Sequence, residues 1–180
     1  MTDTPTDKRA PMASAPMKYR EDGEVDWGNM WDTFCVLAVE GGPPHRDSML
    51  HGQEDADPNS PGYEYAAQEI IRGIHEVSQL HARLDKTGWL AIPTQSAAYA
   101  KWVAEAICEE NVEARSEKAI LFVPVGDYFT LKGEIKNVIT AVAKTTHYWI
   151  DHVPPDVKRT LALQAQLSNV RDTVSKWLKR

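Results

Sequence analysis

Apolar residues recur at steps of three and four over several long stretches, the spacing that places them on one face of an amphipathic helix. The clearest stretch runs from Tyr63 to Leu84 and is expected to end near Gly88. Gly73 inside it implies a closely packed neighbour, because glycine within a helix costs about 1 kcal/mol relative to alanine. The same spacing predicts helices over 94–115, 133–152 and 156–180.

A fifth apolar run, at 27–38, follows Asp26 and precedes Gly41. Capping by Asp26 or Asn29 and a glycine stop favour a helix. The β-branched and aromatic residues at 33–39 suit a central strand instead. We expect the helix.

Shorter, continuous apolar runs predict strands near 89–93, 118–125 and 128–131. The second run is apolar throughout, which indicates a strand buried on both faces. Gly126-Asp127 between the last two runs predicts a two-residue hairpin. The predicted fold class is therefore α+β and α-rich, with about five helices and a small sheet of two to three strands.

The first 25 residues contain three prolines and few large apolar groups, so we expect a disordered or loosely packed tail. The remainder, 26–180, has the size of a single globular domain, with 156–180 as an amphipathic helix.

A formal net charge of −6 argues against nucleic acid as a partner, because such binding depends on lysine and arginine. No apolar run is long enough to cross a membrane or to act as a secretion signal, so we expect a cytoplasmic protein without a membrane partner. Cys35 and Cys108 lie in apolar segments without metal-ligand spacing and are expected to be buried thiols.

The segment VEGGPPHRDS, at 39–48, is a candidate site. Its two glycines permit a sharp turn and its two prolines stiffen the chain ahead of His45 and Arg46. His45 exchanges protons near neutral pH, and Arg46 can hold an anion. Adjacent side chains on an extended segment point to opposite sides, so both a structural loop and a ligand-binding site remain open.

Polar residues follow one side of the 133–152 helix and form the second candidate site. His147 and Asp151 are four residues apart, so the carboxylate can orient the imidazole for acid–base catalysis. Asn137 and Lys144 on this helix, with Glu69 and Arg72 on the first long helix, are the expected ligand-binding groups. A merely solvated helix face is the alternative.

No histidine spacing matches a metal site: His75 and His81 are expected on different sides of one helix, and no metal is predicted. No phosphate-binding, dinucleotide-binding or nucleophile motif is present, so the cofactor is unknown.

Leu163, Leu167, Val170, Val174 and Trp177 repeat at steps of four and three, which makes a seam of about two heptads. Such a helix either packs on its own domain or docks on a second copy or another protein.

The leading hypothesis is an intracellular binding or protein-interaction domain with a polar cleft for a small anion between the 41–48 loop and the 133–152 helix. One alternative is a small enzyme that uses His147 and Asp151 on an anionic substrate. The other is an accessory subunit that docks through 156–180, the segment through which a homo-oligomer would also form.

Overall fold

The fold is α+β, as predicted from the sequence. The structure is a computed structural model that describes residues 17–31 and 46–178, and in the last helix it describes side chains through Leu167. A short helical segment occupies 27–31, and a turn of π-helix, Leu131–Ile135, leads into the third of the long helices. The long helices are α1 (Pro61–Ser78), α2 (Ala97–Glu109), α3 (Lys136–Asp151) and α4 (Pro155–Leu178). The strands are β1 (Arg83–Leu84), β2 (Trp89–Pro93), β3 (Arg115–Glu117) and β4 (Ile120–Pro124).

The four strands form one antiparallel sheet in the order β1-β2-β4-β3. Strands at 89–93 and within 118–125 are confirmed, and β1 and β3 are additional. The hairpin turn lies between β3 and β4, where Lys118 takes the left-handed conformation with φ of 53°. The expected hairpin at Gly126-Asp127 is therefore wrong.

The strand expected at 128–131 is also wrong, because side chains rather than a neighbouring strand satisfy this backbone. The N–H of Asp127 donates to Gln53 Oε1 at 2.9 Å, and the N–H of Thr130 donates to Glu134 Oε2 at 3.0 Å. Gly126 packs so closely on Phe129 and Gln53 that an added Cβ would lie within 3 Å of both. The apolar run thus forms a turn ahead of α3.

Helix α1 ends ten residues before the expected stop at Gly88. Gln79 adopts φ of 60°, and its N–H donates to the carbonyl of His75, which closes the last turn. His81 and Leu84 therefore lie beyond the helix, although the sequence predicted a helix that includes both. Helix α2 begins at Ala97, where the Ser96 hydroxyl accepts from the N–H of Tyr99 at 3.1 Å. It ends at Glu109 rather than at 115, and Asn111 beyond it takes the left-handed conformation with φ of 57°.

The core lies between the inner face of the sheet and the helices. Leu90, Ile92, Leu121 and Val123 of the two central strands are fully buried in it. Trp89, Ala91 and Phe122 form a smaller apolar cluster on the opposite, outer face. This division follows from the period of two along a strand, because alternate side chains face opposite sides.

Residues of the segment 17–31 contact this core. Tyr19 and Val25 form an antiparallel bridge, and Val25, Trp27 and Met30 are buried against the core. Residues 1–16 and 32–45, including Cys35, the Gly-Gly-Pro-Pro sequence and His45, lie outside the described residues.

None of the helices in the described part of the chain is both long and apolar enough to span a lipid bilayer.

Candidate functional site

Arg46 brings the end of the 41–48 loop to the start of the 133–152 helix. Its guanidinium lies 3.7 Å from Glu134 Oε1, and its carbonyl accepts from the Asn111 amide at 2.6 Å. Burial raises the pKa of Glu134, but hydrogen bonds from Thr130 and the charge of Arg46 outweigh this and hold it below its usual range. His45, the other predicted ligand-binding residue of the loop, lies outside the described residues.

Lys144 points to helix α2 rather than to the loop. Its ammonium forms an ion pair with the carboxylate of Glu110, and their side chains are 13 % and 10 % exposed. Burial raises the pKa of Glu110, and the hydrogen bond and charge of Lys144 oppose that rise. The predicted anion-binding lysine thus already holds an anion of the protein itself.

His147 is fixed by contacts with α1 and the 27–31 segment. Its Nε2 lies 3.0 Å from the carbonyl oxygen of Val77, and its ring stacks at a tilt on Trp31 with centroids 4.7 Å apart. A carbonyl only accepts, so Nε2 carries the hydrogen in this contact. Asp151 is exposed and makes no hydrogen bond to His147 among the described residues. Val77, not Asp151, orients the imidazole, and a catalytic role for the pair stays a prediction.

Glu69 and Arg72 form an ionic cluster that fastens residues 17–31 to α1. Two bonds of 2.6 and 3.0 Å join the guanidinium to Glu69, which also accepts from the Trp27 indole at 2.9 Å. Arg72 donates to Glu76 at 2.6 Å and to the Val25 carbonyl at 3.0 Å. Desolvation lowers the pKa of Arg72, but its carboxylate partners outweigh this and raise it.

Asn137 is half-buried in the first turn of α3, where its backbone carbonyl accepts from the hydroxyl of Thr140 at 3.2 Å. The structure therefore gives partners inside the protein to Arg46, Glu69, Arg72, Lys144 and His147. An external ligand would have to displace them.

His75 and His81 stack with ring centroids 4.6 Å apart, so the expectation that they lie on different sides of one helix is wrong. They meet because α1 ends before His81. Stacking brings together ring faces, not the nitrogens that bind metals. Within residues 17–31 and 46–167, no three histidine, cysteine or acidic side chains are grouped as a metal site would require.

Helix α4 presents apolar side chains to solvent. Leu161 and Ala165 pack towards α2 and line a groove of about 230 Å³ with Trp102. Leu163 and Leu167, the first two members of the heptad seam, are 61 % and 70 % exposed. Packing on the protein's own domain therefore does not account for these two leucines.

Two polar residues that sequence reasoning missed take part in these arrangements. Glu110, at the end of α2, is the partner of Lys144, and Arg115, in the overlooked strand β3, lies over the Trp89 ring. Arg115-Ser116-Glu117 contains no apolar residue, so hydrophobic alternation gives no signal for β3. No signal in the sequence pairs Glu110 with Lys144 either.

No family model matches the chain, and neither a curated protein nor a solved structure matches it significantly.

Proposed function

We propose that this protein is a protein-interaction domain that forms a homodimer through α4. The observation that carries the proposal is the exposure of Leu163 and Leu167, 61 % and 70 %, on a helix whose other face packs on the domain. Exposed apolar side chains that continue as a regular row are characteristic of interaction surfaces.

The face of α4 that packs on the domain becomes polar towards the C-terminus, whereas the heptad seam stays apolar. Residues that face the domain are half-buried through Ala165, after which the same helical positions carry Ser168, Asn169 and Asp172. The seam of Leu163 and Leu167 continues in the sequence with Val170, Val174 and Trp177. With 3.6 residues per turn, the seam lies about 150° around the helix from the residues facing the domain. The seam therefore needs a partner other than the protein's own core.

A second copy suits the seam because a heptad row is complementary to itself. Charge favours antiparallel pairing. The last 13 residues hold four basic side chains and one acidic, whereas the whole chain carries −6. Parallel helices would bring two basic ends together, whereas antiparallel helices place each basic end beside residues 151–159 of the other copy, where Asp151 and Asp156 balance Lys158 and Arg159.

In the antiparallel arrangement, the spacing pairs Leu167 with Val170 of the second copy, and Leu163 with Val174. Two heptads alone are fewer than a free-standing coiled coil uses. Contacts between each helix end and the body of the other copy are therefore part of the proposed interface.

Sedimentation equilibrium tests this proposal. The wild-type protein is expected to show a mass that rises with concentration to that of a dimer. Leu163→Glu with Leu167→Glu should give a monomer at all concentrations, because dimerisation would bury four carboxylates. Gln164→Glu is the matched control: it adds a negative charge to an exposed position outside the seam and should still dimerise. A wild-type monomer at high concentration would contradict the proposal.

Cysteine cross-linking tests the orientation. Mixing Leu163→Cys with Val174→Cys should give a disulfide-linked heterodimer if the helices are antiparallel, whereas each variant alone would cross-link if they are parallel. Wild-type protein treated with the same oxidant controls for Cys35 and Cys108.

A second candidate function is the polar cleft between the 41–48 loop and the 133–152 helix. One observation favours it: the 3.7 Å separation of Arg46 and Glu134 leaves room for an anion to compete for the guanidinium. Titration with inorganic phosphate and acetate, monitored by the amide resonances of residues 46–48 and 130–134, tests this. Unchanged resonances would contradict the cleft.

A further inference from the structure

One row of paired residues crosses all four strands on the outer face of the sheet. Arg83 pairs with Ala91, Ala91 with Phe122, and Phe122 with Arg115. Directly paired residues of antiparallel strands point to the same side. Each edge strand thus contributes one arginine to the same face, roughly 14 Å apart at the usual strand spacing.

Arg115 is held against the aromatic residues of this face. Its guanidinium carbon lies 3.9 Å from the centroid of the Trp89 ring and 5.4 Å from that of Phe122. Trp89 is fixed in turn, because its indole N–H donates to Glu54 at 3.1 Å. Stacking uses the face of a guanidinium and leaves the N–H groups at its edge available. No carboxylate of the described residues forms an ion pair with Arg115.

A concave surface of about 590 Å³ adjoins this guanidinium, a volume in the range of small-molecule sites. Phe122 and half-buried Ile120 supply its apolar wall, and Lys86, Arg115 and Lys118 supply three cations. Asp85 and Glu117 also line it, so the local balance is one positive charge on a protein whose formal charge is −6.

From this arrangement we infer a binding site for a small molecule that combines a phosphate with a planar ring. The edge of the stacked guanidinium offers two parallel N–H groups to phosphate oxygens, and the lysines add point charges. The planar ring covers Ile120 and Phe122. The acidic residues disfavour a ligand with several phosphates and favour a monoester.

Isothermal titration with adenosine monophosphate, adenosine and inorganic phosphate tests this site on the full chain at low salt. Adenosine monophosphate is expected to bind at least about tenfold more tightly than either part alone, because only the whole molecule uses both the cations and the apolar wall. Arg115→Met keeps an apolar side chain over Trp89 and should weaken that binding about tenfold or more. Lys118→Met should weaken it to a smaller extent.

Arg83→Met is the matched control, since it removes the same charge from the same face but does not line the concavity. Its affinity should equal that of the wild type, and thermal melts of all variants should coincide. An equal loss of affinity in Arg83→Met and Arg115→Met would show that the ligand is attracted only by the positive charge of this face, and it would overturn the site. So would phosphate alone binding as tightly as the monoester, or no heat with any probe up to about 5 mM.

Discussion

Lys144 of α3 and Glu110, the residue that follows α2, form an ion pair that is almost fully enclosed by protein. The lysine had the sequence environment of a ligand-binding residue, on a helix face with a histidine and an asparagine. Its charge instead joins two helices that pack in the core. Lys144 on the polar side of α3 thus has its partner within the protein, whereas the α4 seam and the outer face of the sheet carry exposed leucines and an arginine without a carboxylate partner among the described residues.

Replacing Lys144 by methionine should destabilise the protein at neutral pH, because Glu110 would lose this cation while remaining buried. The expected loss is about 3 kcal/mol, the usual effect of removing one member of a buried pair. Urea unfolding at pH 7 measures it. Lys144→Met with Glu110→Gln should recover most of the loss, since neither charge then remains.

The effect of Lys144→Met should depend on pH. Burial raises the pKa of Glu110 in the folded protein, and loss of Lys144 raises it further. Below the pKa that Glu110 has in the unfolded chain, its carboxyl is protonated in both the folded and the unfolded protein, so it does not reduce the free energy of unfolding. As pH rises through that value towards the folded-state pKa, folding becomes less favourable. The deficit should therefore shrink on acidification towards pH 4, and a deficit independent of pH would contradict this account.

Gly73→Val should destabilise the protein by about 2 kcal/mol, since overfilling a packed contact usually costs 1–3 kcal/mol. A Cβ at this position would overlap the end of Ile139 and lie 3.1 Å from Cδ1 of Trp27. Gly28→Val is the matched control, because the nearest atom to its added Cβ is 3.9 Å away. Chemical denaturation of both variants checks the difference, and equal losses would rule out the packing explanation.

Local signals in the sequence predicted much of this fold. Gly73 indicated a close neighbour, which proves to be Ile139. The run at 118–125 indicated a strand buried on both faces, as β4 is. In each case the signal depends on residues near one another in the chain, where propensity and spacing act directly.

The failures arose where distant residues decide the structure. Residues 128–131 have strand-like side chains, yet the turn just before them is held by Gln53, which lies 74 positions before Asp127 and accepts its N–H. Likewise, the polar side of α3 carries a lysine and a histidine that suggest a binding site. In the structure Glu110 forms the ion pair with Lys144, and the carbonyl of Val77 accepts from His147. Periodicity places a residue on a face without specifying what packs there.

Arg72→Met should loosen residues 17–31 selectively. The side chain joins Glu69 and Glu76 of its own helix to the Val25 carbonyl. Its loss therefore removes one direct bond to this segment and also the cation beside Glu69, which is the partner of the Trp27 indole. Hydrogen–deuterium exchange should become faster at Val25–Met30 and stay unchanged in β2 and β4. Arg20→Met, which removes a half-exposed contact with Glu76, should change stability by less than about 1 kcal/mol. Uniform exchange changes across the chain would contradict a local fastening role.

His147→Ala and Asp151→Asn should differ strongly in stability. The His147→Ala variant loses the hydrogen bond to Val77 and the stacking on Trp31, so its free energy of unfolding should fall by about 2 kcal/mol. Asp151 is exposed, and its substitution should change stability by less than about 0.5 kcal/mol. Thermal unfolding of both variants measures this. Strong coupling between them in a double-variant cycle would instead indicate that the two side chains act as a pair.

Tyr99 should make the protein less stable at alkaline pH. Burial against Trp149, whose ring meets it edge-on at 5.5 Å, raises the pKa of its hydroxyl from 10.0 to about 12. Below pH 10 the phenol is neutral in both states and has no effect. Between pH 10 and 12 the unfolded chain ionises first, so stability falls, by about 2 kcal/mol in total. Tyr99→Phe keeps the aromatic contact and removes the ionisable hydroxyl. The difference in unfolding free energy between wild type and variant should therefore be constant below pH 10 and change only above it. A difference that stayed constant up to pH 12, or a wild-type-minus-variant absorbance titration at 295 nm centred near pH 10, would show that this hydroxyl is not buried.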